Sequence, residues 1–302
     1  MTNAIETRGL FHRVSKRFEI RDLEMNVPQG AIYGFLGPNG SGKTTTIQVL
    51  LALRRPRAGS ITILGESMPA AAPRVLARIG FVPERPHLYP HLTVDESLRY
   101  HAAFYPTWDD RRARALLAQF RLHGDARLAN LSKGEMGLLL VLLALAQTPE
   151  LLVLDEPTEG LDPVVRRDIT AALVEYVSES EATVLISSHL VHELEGICDW
   201  VGVMDYGRLE MEMPMTAFKS GLKRLRVAGA PAVVENAPFA VLAREPSELD
   251  SGTESWLVRG WQPPMREYVE STGAHLREIV DLDLESGFVE LLRTFRAART
   301  EV

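Results

Sequence analysis

Apolar residues along this chain fall into short unbroken runs and into helical stripes, and the two kinds alternate. Ala31-Ile-Tyr-Gly-Phe-Leu36, Leu151-Leu-Val-Leu154 and Thr183-Val-Leu-Ile-Ser187 are four to six residues long with almost no polar interruption. Such runs are strands buried on both faces, as in a parallel sheet. Between and around them the spacing turns helical, and residues 42–53, 109–120 and 166–177 predict helices. Strand followed by helix, repeated, is the pattern of a largely parallel α/β sheet. The stretch from about 85 to 150 offers no comparable strand before Leu151 and reads as a mostly helical insert. Its most apolar part, residues 137–146, is about half the length that a bilayer span requires, so it predicts a buried helix.

Near residue 215 the pattern changes. Gly229-Ala-Pro-Ala and the polar segment 245–253 break the periodicity and predict loops. Ser255-Trp-Leu-Val258 predicts a strand, 264–272 a helix and Ile279-Val280 part of another strand. Phe288, Leu291, Leu292 and Phe295 then fall at i, i+3, i+4 and i+7 as one apolar stripe. Residues 216–302 therefore read as a small α+β accessory domain behind a first domain of residues 1–215.

Composition narrows the function classes. A chain of 302 residues has room for one large and one small core. Its formal net charge of −7 argues against general nucleic-acid binding through a basic surface. Cys198 is the only cysteine, which excludes an intramolecular disulfide and fits a reducing compartment. The first ten residues lack the basic-then-apolar layout of a secretion signal. Any membrane role is therefore expected to come through a partner.

Gly37-Pro38-Asn39-Gly40-Ser41-Gly42-Lys43-Thr44 matches the P-loop pattern G-x-x-x-x-G-K-[ST] in full. Gly40 and Gly42 let the backbone turn tightly and aim N–H groups at an anion, and the helix beginning near Gly42 places its positive end beneath the phosphates. Lys43 supplies charge toward the β- and γ-phosphates, the Thr44 hydroxyl suits Mg²⁺, and Thr45 continues the same helical turn. A Gly-rich turn that binds nothing is the bland reading. The required context, a strand before and a helix after, favours nucleotide binding.

Leu151-Leu-Val-Leu-Asp155-Glu156 ends a buried strand on two acids. Asp155 can hold Mg²⁺ through water, and Glu156 can accept a proton from an attacking water. Taken alone, such a pair is usually a solvated turn; the P-loop upstream reverses that. Thr183-Val-Leu-Ile-Ser-Ser-His189 repeats the logic, and His189 is placed to hydrogen-bond a γ-phosphate and to position the water or Glu156. His189-x-x-His192-Glu193 lacks zincin spacing, and His192 is expected on the exposed face of the next helix.

With these pieces in order, residues 1 to about 215 resemble an ABC transporter nucleotide-binding domain, with P-loop, helical insert, signature, acidic strand, D-loop and switch histidine in sequence. Leu131-Ser132-Lys133-Gly134-Glu135 stands where that family has LSGGQ. The resemblance implies a P-loop NTPase sheet with the ABC-type helical insert. It also implies MgATP as the bound nucleotide and ATP hydrolysis as the activity. By the same resemblance, Phe18 stacks on adenine, Glu84 stands in the place of the Q-loop glutamine near Mg²⁺, and Asp162 closes the D-loop at a dimer interface. Ser132 and Gly134 would contact the γ-phosphate of ATP held by a second ATP-binding subunit, identical or paralogous. The remaining partner is a separate integral-membrane permease, which places the chain in the cytoplasm on the inner face of the membrane. The C-terminal part is similar in position to extensions on bacterial exporter ATPases.

The sequence departs from the family at Glu84, at Lys133 for the first signature glycine, and at Glu135 for the glutamine, where a negative charge is expected near ATP. The apolar stretch 136–146 stands where polar or basic residues are common. Two rival readings remain: a low-turnover regulatory or assembly subunit, and a soluble ABC protein acting on ribosomes or nucleic acid. No guanine-reading N-K-x-D segment accompanies the P-loop, which disfavours a GTPase.

Overall fold

The unbroken apolar runs of the N-terminal two thirds gather in one sheet, because a strand without a polar face needs cover on both sides. The computed structural model describes residues 2–231, 237–247, 250 and 252–300 and divides into two units, Met1–Glu212 and Met213–Val302. In chain order the first part contains β1 (Asn3–Arg13), β2 (Glu19–Pro28), β3 (Ile32–Leu36), α1 (Lys43–Leu50), β4 (Ala58–Ile63), β5 (Glu66–Met68), α2 (Ala72–Leu76) and β6 (Ile79–Val82). There follow α3 (Val94–Ala102), α4 (Asp110–Gln119), α5 (Lys133–Ala146), β7 (Leu151–Asp155), α6 (Pro163–Ser180), β8 (Thr183–Ser188), α7 (Val191–Leu194), β9 (Trp200–Asp205) and β10 (Arg208–Pro214).

The central sheet has the order β10-β9-β3-β8-β7-β6. Pairing is parallel between β3 and both β8 and β9, and between β7 and both β8 and β6. Parallel strands finish at a common edge: Leu36 lies beside Ser188, Asp155 beside Ser187 and Val82 beside Leu154. Open parallel sheets bind their ligands at that edge.

A second, antiparallel sheet, β2-β1-β4-β5, escaped the sequence reading. Its longest strand, β1, carries charged side chains outward and is bulged near Gly9 and Leu10, where the register shifts against both neighbours. The bulge hides the two-residue alternation. Ile5, Leu10, Leu23 and Met25 of this sheet share one core with Phe35 of β3 and Ile47 and Leu50 of α1. Helix α1 is shorter than the expected 42–53, since the chain turns through the left-handed region at Ala52, φ 56°. Helix α6 is longer than 166–177: Asp162 caps its start and Glu181, φ 55°, ends it.

The insert is helical, as its sequence implied. Its three α-helices each carry a side-chain N-cap: Thr93 with Glu96 in α3, Asp109 in α4, and Ser132 with Glu135 in α5. Helix α5 buries an unbroken face from Leu138 onward, excepting Leu140, which is half-buried. Among the described residues no helix is long and apolar enough to cross a membrane.

The second unit holds α8 (Met215–Gly221), β11 (Leu222–Ala228), β12 (Ala240–Pro246), β13 (Thr253–Arg259), α9 (Arg266–Ser271), β14 (His275–Asp281) and α10 (Leu284–Thr300). Its sheet, β12-β13-β11-β14, is antiparallel throughout and packs around Trp256, Trp261 and Phe239. The loop expected over 245–253 is shorter: residues 245 and 246 finish β12, Thr253 opens β13, and 248, 249 and 251 lie outside the described residues, as does Ala232 of the other expected loop. The helix expected over 264–272 begins as a 3₁₀ turn, Pro263–Met265, before α9. Glu212 belongs with the first unit, because its carboxylate accepts the Asn26 N–H at 2.8 Å and the hydroxyl of buried Tyr33 at 2.7 Å.

Helix α5 should be the most sensitive part of the first core. Leu142 is fully buried, so Leu142→Ala is expected to cost about 2–5 kcal/mol. Equilibrium urea denaturation checks this; a loss near that of an exposed-site control such as Leu53→Ala would show that α5 is not core.

Candidate active site

Strand β3 delivers the phosphate loop at the edge of the sheet. Gly37 follows it directly, with its N–H donated to the Ser188 carbonyl at 3.2 Å. A Cβ here would lie 2.3 Å from the Met204 carbonyl oxygen, so only glycine fits. Gly42 turns into α1 at φ 116°, where a Cβ would also meet Met204 and the Phe18 ring, at 2.8 and 3.0 Å. The N–H groups of the first turn of α1 have no intrahelical acceptor and point out of the helix start, an arrangement that suits an anion. A cavity of about 500 Å³ opens over this loop, bordered by Phe18, Asn39, Gly40, Lys43, Thr44, Thr45, Glu84 and Glu156 among others.

The two acids of β7 lie inside, not in a solvated turn. Lys43 and Glu156 are 5% and 7% exposed and pair at 3.0 Å between Nζ and Oε1. The Lys43 ammonium also donates to the Gly37 carbonyl at 2.6 Å. On its other oxygen, Glu156 accepts from His189 Nδ1 at 2.9 Å. Because the carboxylate accepts, Nδ1 carries the proton, which leaves Nε2 for another partner. Glu156 itself adopts φ 49°, a left-handed conformation unusual for a side chain of its size. That turn is held by Ser187, whose hydroxyl accepts the Glu156 N–H at 2.9 Å and donates to Asp155 Oδ1 at 2.8 Å. Ser187 was absent from the expected site; its signal was a polar residue closing an otherwise apolar strand.

Asp155 is buried, with the Thr44 hydroxyl near its carboxylate. Burial pushes this carboxyl above the usual aspartate range; the Ser187 and Thr44 hydroxyls oppose the shift, and the charges of Glu84 and Glu156 add to it. A hydroxyl and carboxylate oxygens on one side of the phosphate loop form the hard-oxygen donor set that suits Mg²⁺. Glu84 borders the same cavity and pairs with Arg85 at 3.8 Å.

The signature stands apart from this group. Ser132, Lys133 and Leu131 border a second cavity of about 270 Å³, which also touches Glu84, Glu156 and Glu159. Gly134 packs toward Val165 and Asp162, and Asp162 caps α6 by accepting the Val164 and Val165 N–H groups. Ser132, Gly134 and Asp162 are thus neighbours of one another but do not border the phosphate-loop cavity. Glu135 closes the capping box of α5: its carboxylate accepts the Ser132 N–H at 2.8 Å. That bond lowers its pKa. Lys133 lies over Gly160 of the loop after β7.

A family model described as "ABC transporter" matches residues 20–159. Over 213 residues the chain is 37% identical to the Nod factor export ATP-binding protein I of Cupriavidus pinatubonensis, covering 69% of this chain and 65% of that protein. Over 221 residues it is 36% identical to the bacitracin transport ATP-binding protein BcrA of Bacillus licheniformis, covering 72% of each. The chain belongs to the ABC transporter ATP-binding proteins. It is therefore an ATPase of that family. Among solved structures it is similar to an ATP-binding subunit of an ABC transporter, with TM-score 0.65 and 28% identity over 72% of this chain and 92% of that one. The fold also matches a dimeric ATP-binding cassette bound to ADP and phosphate, with TM-score 0.63 and 21% identity over 70% of this chain and 98% of that one.

The raised pKa of Asp155 has a stability consequence of definite sign. Its ionisation is less favourable in the folded chain, so this cost is present above the folded pKa and disappears as pH falls below the ordinary aspartate value. In magnesium- and nucleotide-free buffer, Asp155→Asn should raise Tm at neutral pH, with the gain fading on acidification. A gain that grows toward low pH, or a loss at neutral pH, would contradict the buried-charge reading.

Proposed function

We propose that this ATPase is the motor subunit of an exporter whose permease is a separate protein, and that it works as a dimer enclosing two MgATP molecules. The observation that carries the chemistry is the convergence of Lys43 and His189 on Glu156, a buried carboxylate beside the phosphate loop. ATP lies along the cavity with adenine on Phe18 and its phosphates over residues 37–45. The triphosphate attracts Lys43, which frees Glu156 Oε1 to take a proton from the attacking water. Among the described residues that oxygen has the ion pair with Lys43 and no hydrogen bond. His189 holds the other carboxylate oxygen and presents Nε2 to the γ-phosphate or to water. Thr44 and Asp155, with Glu84 beside them, would hold Mg²⁺, which when bound neutralises charge on the phosphate oxygens.

Closure is completed by a second subunit, identical or paralogous. Its Ser132 and Gly134 reach the γ-phosphate across the interface, with Asp162 in the adjoining loop. This reading is supported by the placement of the signature outside the chain's own phosphate-loop cavity.

Coupling to the membrane runs through the segment after β6. Glu84 borders the ATP cavity, and three residues later His87 and Leu88 border an apolar groove of about 290 Å³ with Leu51, Leu53, Phe81 and Leu140. A permease segment seated there would sense a shift that starts at Glu84. The chain then acts from the cytoplasmic face of the membrane. Relatives named for Nod factor export and bacitracin transport favour outward transport over a role on ribosomes or nucleic acid, as does the net charge of −7.

Glu156→Gln should retain ATP-dependent dimers on size exclusion while hydrolysis falls by at least about 100-fold; an undiminished rate would remove Glu156 from the base role. Phe18→Ala should weaken ATP binding by about tenfold, the worth of one base stacked on an aromatic ring, with equal loss for ATP and ADP. Unchanged affinity in calorimetric titration would place adenine elsewhere.

A further inference from the structure

Away from the phosphates, one buried carboxylate gathers three partners that all flank the hydrolytic groups. Glu193 sits in α7 with its side chain 8% exposed. Its Oε2 accepts from the Thr158 hydroxyl at 2.8 Å and from the Ser188 hydroxyl at 2.9 Å. Its Oε1 faces Arg166 Nη1 at 3.0 Å, and Arg166 in turn donates Nε to the Leu161 carbonyl at 2.8 Å. Thr158 and Leu161 belong to the loop that begins at Glu156, and Ser188 immediately precedes His189.

We infer that Glu193 is a positioning residue for ATP hydrolysis, a clasp that fixes the loop after Glu156 against the strand end bearing His189 and thereby sets the Glu156–His189 contact. This rests on the proposed roles of Glu156 and His189. The two residues follow different strands, β7 and β8, and stand beyond the last backbone pairing of Asp155 with Ser187. Past that point only side chains hold the two segments in register. Ser187 fixes the start of the loop from one side, and Glu193 fixes its middle and end. The partners of Glu193 are polar groups of these two segments and of the first turn of α6, not apolar core residues. Removing the carboxylate takes the acceptor from the Thr158 hydroxyl, the shorter of two acceptors from the Ser188 hydroxyl, and the ion pair from Arg166. The loop is then free to relax, and a displacement of about an ångström at a reacting group is enough to cost up to about 100-fold in rate. In the sequence Glu193 stands only in a motif that lacks zincin spacing, and Arg166 only at the start of a helical stretch.

The test uses the full-length chain with Glu193→Gln, which keeps the shape and one acceptor oxygen but loses the ion pair. Its kcat should fall between about 10- and 100-fold while ATP affinity, measured by calorimetry, stays within about twofold. Hydrogen–deuterium exchange should quicken in peptides covering 156–166 and 186–194 and remain unchanged in the P-loop. Arg166→Gln should lower kcat by a similar factor, and the double variant should lose no more than the worse single one, because both break one clasp. Arg166→Gln also serves if Glu193→Gln fails to fold, since it leaves Glu193 both hydroxyl donors. A kcat within about twofold of the parent, loss of ATP affinity in step with kcat, or additive losses would each overturn the inference. Glu156→Gln run alongside separates the two levels. If it abolishes hydrolysis while the Glu193 and Arg166 variants leave kcat intact, the clasp fails and the assignment of Glu156 stands. If it leaves hydrolysis intact, the assignment itself is wrong.

Discussion

Glu156 is the point on which the site depends. One carboxylate binds a lysine from the phosphate loop at 3.0 Å and a histidine from a neighbouring strand at 2.9 Å, almost out of reach of solvent. A buried carboxylate without such partners would be too costly to keep ionised. The pair with Lys43 gives back several kcal/mol by attraction, much of it offset by desolvation. Its value lies in poise, since a triphosphate asks for the same ammonium. In the proposed mechanism nucleotide and carboxylate compete for Lys43, which links binding to the availability of the base.

The sheet makes this arrangement possible. Strands β3, β8 and β7 are adjacent and parallel, so the P-loop, the histidine and the two acids emerge side by side although 34 residues separate Asp155 from His189. β6 adds Glu84 at the same edge. Buried strands leave no freedom of register, because a slip of one residue would turn every side chain over. The polar residues beyond the strand ends inherit that fixed position. Where pairing stops, the site relies on side-chain bonds: Ser187 and Glu193 for the Glu156 loop, and the Ser132–Glu135 box for the start of α5.

What the sequence disclosed follows this division. The P-loop, Asp155, Glu156 and His189 could be read because each sits at the end of an apolar run whose burial is written in its composition. The meeting of Lys43 with Glu156 could not be read, since it depends on β8 lying between β3 and β7. The capping role of Glu135 went unread because a glutamate three residues after a serine serves a helix cap as readily as a binding surface, and only the α5 start decides which. The antiparallel sheet was missed because bulges in β1 and outward charges erase its period. Strands β6, β9 and β10 lacked a signal strong enough to separate them from their surroundings. Glu193 and Arg166 are charged residues on short or half-exposed helices, where solvation is the ordinary expectation.

The competition for Lys43 can be weighed directly. Calorimetric titration of ATP with magnesium, at protein concentrations low enough to keep the chain monomeric, compares the parent with Glu156→Gln. If the carboxylate and the triphosphate share one ammonium, the variant binds ATP several-fold more tightly, because Lys43 no longer has to leave a charged partner. Equal or weaker binding by the variant would contradict the account, for Lys43 would then hold phosphate without surrendering Glu156.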